Sequence, residues 1–320
     1  MSTIGEFDLI NEYFAGPLSS YGVNLGIGDD CALLTVPEGK QLAVSLDSLI
    51  GGVHFPKNAD PELIAERAVR VSVSDLAAMG ADPLWMTLGL TIPASESHWL
   101  AGFSRGLFKA ADEYNIALIG GDTTRGPLAV TMQVHGSVDP DKAMLRSEAR
   151  VGDIVFVTGT VGDGAGALAV IKRELEVGKS AFSYFMSRYY TPKILTREAQ
   201  VLASVSRCAI DVSDGLLADL GHICKASGVG AVIEAERLPL SDPLRKLVDP
   251  DVALAWALVG GDDYQVCFTV APHLIRQLEE IQEKYKIELT AIGEIVRGSD
   301  CVCLSDGRVV ECEMSGYKHF

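Results

Sequence analysis

The sequence predicts a protein of the α/β or α+β class with two domains. Segments with the period of strands alternate with segments that have the period of helices in both halves of the chain. The 320 residues, 48% of them hydrophobic, are enough to form two cores of ordinary size. Apolar periodicity lapses and charges accumulate between 139 and 153. We therefore place the domains at 1–148 and 149–320.

The first half contains a strand followed by a well-marked helix. Residues 40–48 alternate between apolar and small or polar side chains, which is typical of a half-buried strand. The helix is expected to begin with Asp60 as its N-cap and Pro61 at its first position, and to end at Gly80. Three further elements are expected, a helix over 97–114 and strands over 116–122 and 128–138.

The second half opens with a strand over 153–159 and a glycine-rich turn that leads into a helix. The turn "GTVGDGAG" has backbone N–H groups of the kind that bind phosphate. It carries no lysine, and the alternative is an ordinary helix start. The chain contains neither a P-loop sequence nor the His-Arg-Asp and Asp-Phe-Gly strings of protein kinases.

The charge of the chain restricts its partners. There are 27 Lys and Arg residues against 43 Asp and Glu residues, a net charge of −16 with a pI near 4.8. This excess of negative charge argues against nucleic acid or an anionic membrane surface as a partner. The most apolar window, 76–94, contains Asp82, Pro83 and Pro93, so we expect no membrane span.

The cysteines and the first residues indicate a cytoplasmic protein. There are seven cysteines, and no two have the C-x-x-C spacing of a zinc or redox site. Buried free thiols in a reducing cytosol fit this pattern best. The acidic residues Glu6, Asp8 and Glu12 stand where a signal peptide would be basic.

Several aspartates adjoin predicted strand ends or an apolar helix face. Asp75 falls on the apolar stripe of its predicted helix, away from the face that carries Glu66 and Arg70. Asp47 lies two residues after Ser45 on a strand, so both side chains point the same way. The full set is Asp30, Asp47, Asp75, Asp122, Asp211 and Asp214.

These carboxylates predict a magnesium site. Two carboxylates about 4 Å apart repel by roughly 4 kcal/mol at an effective dielectric constant near 20. Hard oxygen ligands without His or Cys select Mg²⁺, which usually bridges carboxylates to substrate phosphates. For each aspartate alone, the alternative is a helix cap or a turn.

Two other residues have alternative interpretations. Arg146, in the charged connector, is a candidate for binding a phosphate, or else it is a solvated surface residue. His54 follows Asp47 closely and could lie at the rim of the same site, although a lone histidine is more often structural. No Ser-His-Asp or Cys-His arrangement is visible, so we expect no covalent catalytic residue.

Nine strings together resemble the thiamine-monophosphate kinase family. They occur in the order and spacing of that family, nearly from end to end of the chain. The strings are "GIGDDCALL", "SLDSLIGGVHF", "VSDLAAMGADP", "LIGGDTTRGPL", "LRSEARVGD", "VTGTVGDGAGAL", "IDVSDGLLADLGHI", "GGDDYQVCF" and "GYKHF".

The resemblance implies a fold and a reaction. The fold would be that of aminoimidazole ribonucleotide synthetase. Its N-terminal α/β domain carries a mixed sheet that pairs with a second subunit's sheet into a barrel, and a C-terminal α/β domain follows. The N-terminal domain would bind ATP and Mg²⁺ and form the homodimer, and the C-terminal domain would complete the site. ATP would donate its γ-phosphoryl group directly to thiamine monophosphate, with several Mg²⁺ ions.

The resemblance also implies roles for individual residues. The magnesium ligands would be Asp30, Ser45, Asp47, Asp75, Asp122, Asp211 and Asp214. The nucleotide would contact Gly121, Asp122, Arg146 and Ser213. The thiamine monophosphate pocket would include His54, Asp262 and Tyr317.

The chain departs from the family at two of these places. The family often has threonine where Leu46 stands, so any metal ligand here would be the backbone carbonyl. The family often has glutamate where Asp262 stands, and the aspartate side chain is one methylene shorter.

Two alternatives remain open from the sequence. One is another ATP-dependent synthetase of the same superfamily, such as selenophosphate synthetase, which usually carries a reactive Cys or selenocysteine beside a Lys. Here the first cysteine, Cys31, has no adjacent Lys. The other alternative is a non-catalytic protein that binds nucleotide or metal.

Overall fold

The computed structural model describes residues 6–15 and 21–310, and it divides the chain into two compact units. The first unit comprises 1–76 and 81–140, and the second comprises 77–80 and 141–320. No helix in the described ranges is long and apolar enough to cross a membrane.

In its described residues, 6–15 and 21–140 apart from 77–80, the first unit has three helices and six strands. The helices are α1 (Glu6–Tyr13), α2 (Pro61–Ala78) and α3 (Ser97–Tyr114). The strands are β1 (Val23–Leu25), β2 (Leu33–Leu34), β3 (Gln41–Ile50), β4 (Asp82–Ile92), β5 (Ala117–Arg125) and β6 (Ala129–Val138). The main sheet has the order β3-β6-β4-β5, and only β4 and β5 are parallel within it. The hairpin β1–β2 is separate.

The start and end predicted for helix α2 are confirmed. The Asp60 side chain accepts the backbone N–H of Glu62 at 2.9 Å, as an N-cap does. Gly80 follows the helix with a φ of +67°, and Ala81 N–H bonds back to the Leu76 carbonyl at 2.9 Å. The strands predicted over 116–122 and 128–138 correspond to β5 and β6, although β5 continues past Asp122 to Arg125.

Strand β3 turns its polar face inward. The predicted alternation is confirmed, but Leu42, Val44 and Leu46 are 46%, 50% and 56% exposed. Ser45 and Asp47 are half-buried on the other face. The first unit therefore leaves an apolar edge strand uncovered and packs a polar strand face against its interior.

Helix α2 is buried on more than its apolar stripe. Glu66 and Arg70, which the sequence places on a separate face, are only 1% and 4% exposed. Arg70 binds both carboxylate oxygens of Glu113 on α3, at 3.0 and 2.7 Å, and also contacts Glu66 at 3.1 Å. This ion pair fixes α2 against α3 about one and a half helical turns before Asp75.

As far as the structure describes it, to residue 310, the second unit has a seven-stranded sheet with helices. Its helices are α4 (Asp163–Ile171), α5 (Lys179–Tyr190), α6 (Thr196–Leu202), α7 (Leu216–Ser227), α8 (Asp242–Leu247), α9 (Pro250–Val259) and α10 (Ile275–Tyr285). Its strands are β7 (Ile154–Thr158), β8 (Cys208–Asp211), β9 (Gly230–Glu234), β10 (Val266–Val270), β11 (Leu289–Val296), β12 (Cys301–Ser305) and β13 (Arg308–Val309).

The sheet of the second unit has the order β13-β12-β9-β11-β7-β10-β8. Strands β9 and β12 are parallel, and the other neighbours are antiparallel. The strand predicted over 153–159 corresponds to β7, and the turn after it leads into α4, as expected. All five residues of β10 are buried, so this strand is covered on both of its faces.

The connector after the first unit is bound to the second one. The Arg146 carbonyl accepts the Ser227 hydroxyl at 2.8 Å, and Leu145 N–H donates to the Arg207 carbonyl at 2.8 Å. The structure thus groups 141–148 with the second unit, whereas the sequence places the division at 148/149. A charged segment without apolar periodicity can still be held in place by hydrogen bonds to its backbone N–H and C=O groups.

Candidate active site

The loop that carries Asp30 is held on the sheet of the first unit. The hairpin β1–β2 packs Val23 and Leu34 against a small cluster that contains Trp85. The Trp85 indole N–H also donates to the Tyr21 carbonyl at 2.9 Å. Asp30 itself is exposed in the turn between the two strands, and its backbone N–H donates to the Asp29 side chain at 2.8 Å.

Ser45, Asp47 and Asp75 come together in the first unit. The Ser45 hydroxyl donates to Asp75 Oδ2, which links β3 to α2. Burial raises the pKa of Asp47 to about 6, and the nearby Asp75 charge raises it further in the same direction. Asp75 is half-buried between fully buried neighbours on α2. We call the two carboxylates the Asp47–Asp75 pair, and the Ser45 hydroxyl is bonded to its Asp75 member.

Gly121 and Asp122 lie within strand β5, beside β4. The φ of Gly121 is +151°, and a Cβ there would lie 1.9 Å from the Leu88 carbonyl oxygen. Only glycine fits, because the two backbones approach each other closely at this position. Asp122 is exposed and pairs with Gly89 across the ladder.

His54 lies in a tight turn after β3. The imidazole Nδ1 accepts the Ile50 backbone N–H at 2.9 Å. The backbone N–H of His54 donates to the Ile50 carbonyl at 2.9 Å. A neutral imidazole that accepts at Nδ1 carries its proton on Nε2. The turn therefore fixes the orientation of the His54 ring.

Ser213 and Asp214 lie in a turn that is organised by a buried carboxylate. The N–H groups of Ser213, Asp214 and Gly215 each donate to one oxygen of Asp219 at 3.1 Å. Asp219 is 2% exposed in the first turn of α7, and burial raises its pKa to about 7. Asp211 ends β8 just before this turn, as the sequence predicts.

Asp262 is close to this turn within the second unit. Its N–H donates to the Ser213 carbonyl at 2.9 Å, and its carboxylate accepts the Tyr264 hydroxyl at 2.7 Å. Arg146 has an exposed side chain. Tyr317 lies outside the described residues.

The glycine-rich turn before α4 binds the side chain of a buried aspartate. The Gly162 and Gly164 N–H groups donate to the two oxygens of buried Asp263, at 2.5 and 2.9 Å. Of the two interpretations of this turn, the ordinary helix start therefore fits the structure, because these N–H groups are already engaged.

The sequence pattern missed Asp219 and Asp263. Asp219 had a local signal, an acid in the first turn of a helix after Asp-Gly, where it meets free N–H groups. Asp263 had none, because its partners lie about a hundred residues away along the chain.

The donor set of the Asp47–Asp75 pair suits magnesium. Two half-buried carboxylates and a hydroxyl are hard oxygen donors, and a cation would relieve the repulsion that raises the Asp47 pKa. No group of three or more His, Cys, Asp or Glu side chains is arranged to hold a metal ion in 6–15 and 21–310.

The fold and these turns correspond to a known class of two-domain protein. A model for the N-terminal domain of AIR synthase related proteins matches residues 28–138, and the model for the C-terminal domain matches 150–303. The chain is thus an AIR synthase related protein with both domains of that class.

Similarity to individual proteins shows which family of this class the chain belongs to. The thiamine-monophosphate kinase of Escherichia coli K12 is 46% identical over 320 residues, which span 99% of this chain and 98% of that protein. The crystal structure of thiamine-monophosphate kinase from Stenotrophomonas maltophilia K279a has a TM-score of 0.88 at 40% identity, covering 97% of this chain and 99% of that one. The chain belongs to the thiamine-monophosphate kinase family, and it is an enzyme.

A third structure contains ligands. The structure of AaThiL complexed with AMPPCP and TMP has a TM-score of 0.77 at 29% identity, and it covers 99% of this chain and 97% of that chain.

Proposed function

We propose that this chain transfers the γ-phosphoryl group of ATP to thiamine monophosphate in a direct in-line step, giving thiamine diphosphate and ADP. Membership of the family and the relative complexed with AMPPCP and TMP support the two substrates. The observation that carries the chemistry is the Asp47–Asp75 pair with its Ser45 hydroxyl. Such transfer depends on positioning and charge neutralisation, and it needs no protein nucleophile.

Magnesium is the proposed metal. Several bound Mg²⁺ ions would bridge aspartates to phosphate oxygens and neutralise the charge that develops on the transferred group. The Asp47–Asp75 pair would be the buried part of this ligand set. The remaining ligands would be Asp30, Asp122, Asp211 and Asp214.

The substrate contacts follow from the same proposal. Gly121, Arg146 and Ser213 would contact the nucleotide together with Asp122. His54, whose ring is held by the hydrogen bond from the Ile50 N–H, would contact the thiamine monophosphate. Asp262 and Tyr317 would complete that pocket.

The reaction is tested directly by mixing the protein with ATP, Mg²⁺ and thiamine monophosphate and measuring ADP and thiamine diphosphate. We expect equimolar formation of both products, and none after chelation of the metal. ADP without thiamine diphosphate would instead indicate a different acceptor. Absence of both products would reject the kinase function.

The uncovered face of β3 supports a homodimer. Edge strands with exposed apolar side chains normally pair or are covered, and Val44 and Leu46 are half exposed here. Replacing both by Lys should convert the protein to a monomer in sedimentation velocity. Leu247→Lys, an equally exposed apolar position on α8, is the matched control and should leave the mass unchanged. A double variant that sediments like the wild type would contradict the role of β3.

We place the enzyme in the cytosol. All six cysteines among the described residues are free thiols, and five of them are buried. Free thiols persist in a reducing compartment.

A further inference from the structure

The loop that carries Asp262 is strained. Six residues other than glycine have positive φ among the described residues, and four of them lie at helix ends or in a hairpin turn: Asn115, Arg173, Lys286 and Asp306. The other two are Asp262 at +68° and Tyr264 at +51°. Left-handed backbone at such residues costs of order 1 kcal/mol or more each, so other contacts have to impose it.

Asp263, between the two strained residues, is the anchor of this loop. Its carboxylate is 1% exposed and accepts the Gly162 and Gly164 N–H groups at the start of α4. The loop also lies directly on that helix, because a Cβ at Gly164 would be 2.3 Å from the Gly261 carbonyl oxygen. Two hydrogen bonds to the two oxygens of one buried carboxylate fix both its position and its orientation.

The backbone on each side of Asp263 is fixed as well. Asp262 N–H donates to the Ser213 carbonyl at 2.9 Å, and Tyr264 N–H donates to the Val212 carbonyl at 2.8 Å. The loop is therefore held between α4 on one side and the 212–214 backbone on the other.

The side chain of Asp262 is oriented by Tyr264. The phenol donates to Asp262 Oδ1 at 2.7 Å, and both side chains are half-buried rather than enclosed in the core. This bond fixes the rotation of the carboxylate about its side-chain bonds. The aspartate side chain has one rotatable bond fewer than the glutamate that the family often has here, so it has less freedom to reach a ligand. Contact with a ligand therefore depends more strongly on the direction in which the carboxylate is held.

We infer that Asp263 and Tyr264 are positioning residues for the acceptor substrate, and that they act by holding the Asp262 carboxylate in a fixed place and direction. This inference rests on the proposed function, in which Asp262 contacts thiamine monophosphate. A fixed carboxylate suits the N–H groups and the positive ring of a thiamine compound. Neither positioning residue needs to touch the substrate.

The test is a steady-state assay of the full chain with ATP, Mg²⁺ and thiamine monophosphate. Tyr264→Phe should raise KM for thiamine monophosphate about tenfold, while kcat and KM for ATP stay within about threefold. Asp263→Asn should raise the same KM by at least as much. A purely structural role would lower the active fraction and leave both KM values unchanged.

Tyr184→Phe is the matched control. The Tyr184 phenol also donates to a carboxylate of the second unit, Asp163 Oδ2, at 2.8 Å. Its loss should not change either KM. If Asp263→Asn fails to fold, Tyr264→Phe alone decides the inference, because its side chain is only half-buried.

The outcomes separate the inference from the proposed function. An unchanged KM in Tyr264→Phe, with a raised KM in Asp262→Ala, would overturn the positioning role alone. An unchanged KM in Asp262→Ala would overturn the placement of Asp262 and the inference with it. A wild type without turnover would overturn the proposed function itself.

Discussion

The two units use buried carboxylates in opposite ways. In the first unit, Asp47 and Asp75 lie close to each other, and their repulsion adds to the effect of burial on the Asp47 pKa. In the second unit, Asp219 and Asp263 accept three and two backbone N–H groups. The acids that accept N–H groups organise turns, whereas we propose that the two acids that repel each other bind a cation.

The largest expected effect is on activity, in the first unit. Asp75→Asn should lower kcat/KM by roughly 1,000-fold, because loss of a metal ligand removes about 4 kcal/mol of charge stabilisation. Its stability without Mg²⁺ should not fall, since one of two repelling acids is gone. Asp112→Asn, an exposed position on α3, is the control and should change neither quantity. If Asp75→Asn were less stable than the wild type without Mg²⁺ and still active, the proposed difference between the carboxylates of the two units would be wrong.

The next effect is a pH dependence of stability in the second unit. Burial raises the pKa of Asp263 from 3.8 to about 7, and the nearby Asp163 charge adds to this rise. The hydrogen bonds from the Gly164 and Gly162 N–H groups and the charge of Arg188 act in the opposite direction and lower the pKa. The folded state thus holds this proton more tightly. The resulting stability is complete below pH 4 and is lost as pH rises to about 7, by at most about 4 kcal/mol.

Urea unfolding at pH 5 and pH 8 measures this loss. The wild type should lose more unfolding free energy between the two values than Asp263→Asn, which cannot titrate. Parallel pH profiles for the two proteins would show that Asp263 is ionised throughout.

A smaller effect is expected for Asp219. Asp219→Ala should lower the unfolding free energy by about 2 kcal/mol at pH 5, because three backbone N–H groups lose their acceptor. Calorimetry at pH 5 without Mg²⁺ is the measurement. Asp251→Ala, exposed on α9, serves as the matched control. If Asp219→Ala were as stable as the wild type, the turn would not depend on its carboxylate.

The smallest effect is expected for Ser45. Ser45→Ala removes one hydroxyl donor to Asp75 and should cost about 1 kcal/mol of stability. Added Mg²⁺ should still raise the melting temperature, since both carboxylates remain. Loss of that response in Ser45→Ala would mean that the hydroxyl, rather than the carboxylates, dominates metal binding.

Much of the fold could be predicted from local patterns. The N-cap at Asp60, the helix over 97–114 and the strand that contains Ser45 and Asp47 all follow from spacing, and the structure confirms them. Local spacing also places Ser45 and Asp47 on one strand face, but it does not say which face is inward. In β3 the polar face is inward, against the usual preference.

What the sequence could not predict depends on distant partners. Asp263 meets Gly162 and Gly164 only because β10 lies next to β7 in the sheet. The burial of Glu66 and Arg70 depends on α3, which covers that side of α2. In the sequence, each residue of such a contact looks like an ordinary polar residue, because its partner is distant along the chain.

The central claim is that Asp47 and Asp75 of the first unit bind metal, whereas Asp219 and Asp263 of the second unit bind backbone N–H groups. It is tested most directly by titrating Mn²⁺, in place of Mg²⁺, into the protein with a non-hydrolysable ATP analogue, followed by electron paramagnetic resonance. We expect Asp75→Asn to weaken binding by about tenfold or more, and Asp263→Asn to bind like the wild type. Equal binding in Asp75→Asn and the wild type, or weakened binding in Asp263→Asn alone, would contradict the claim.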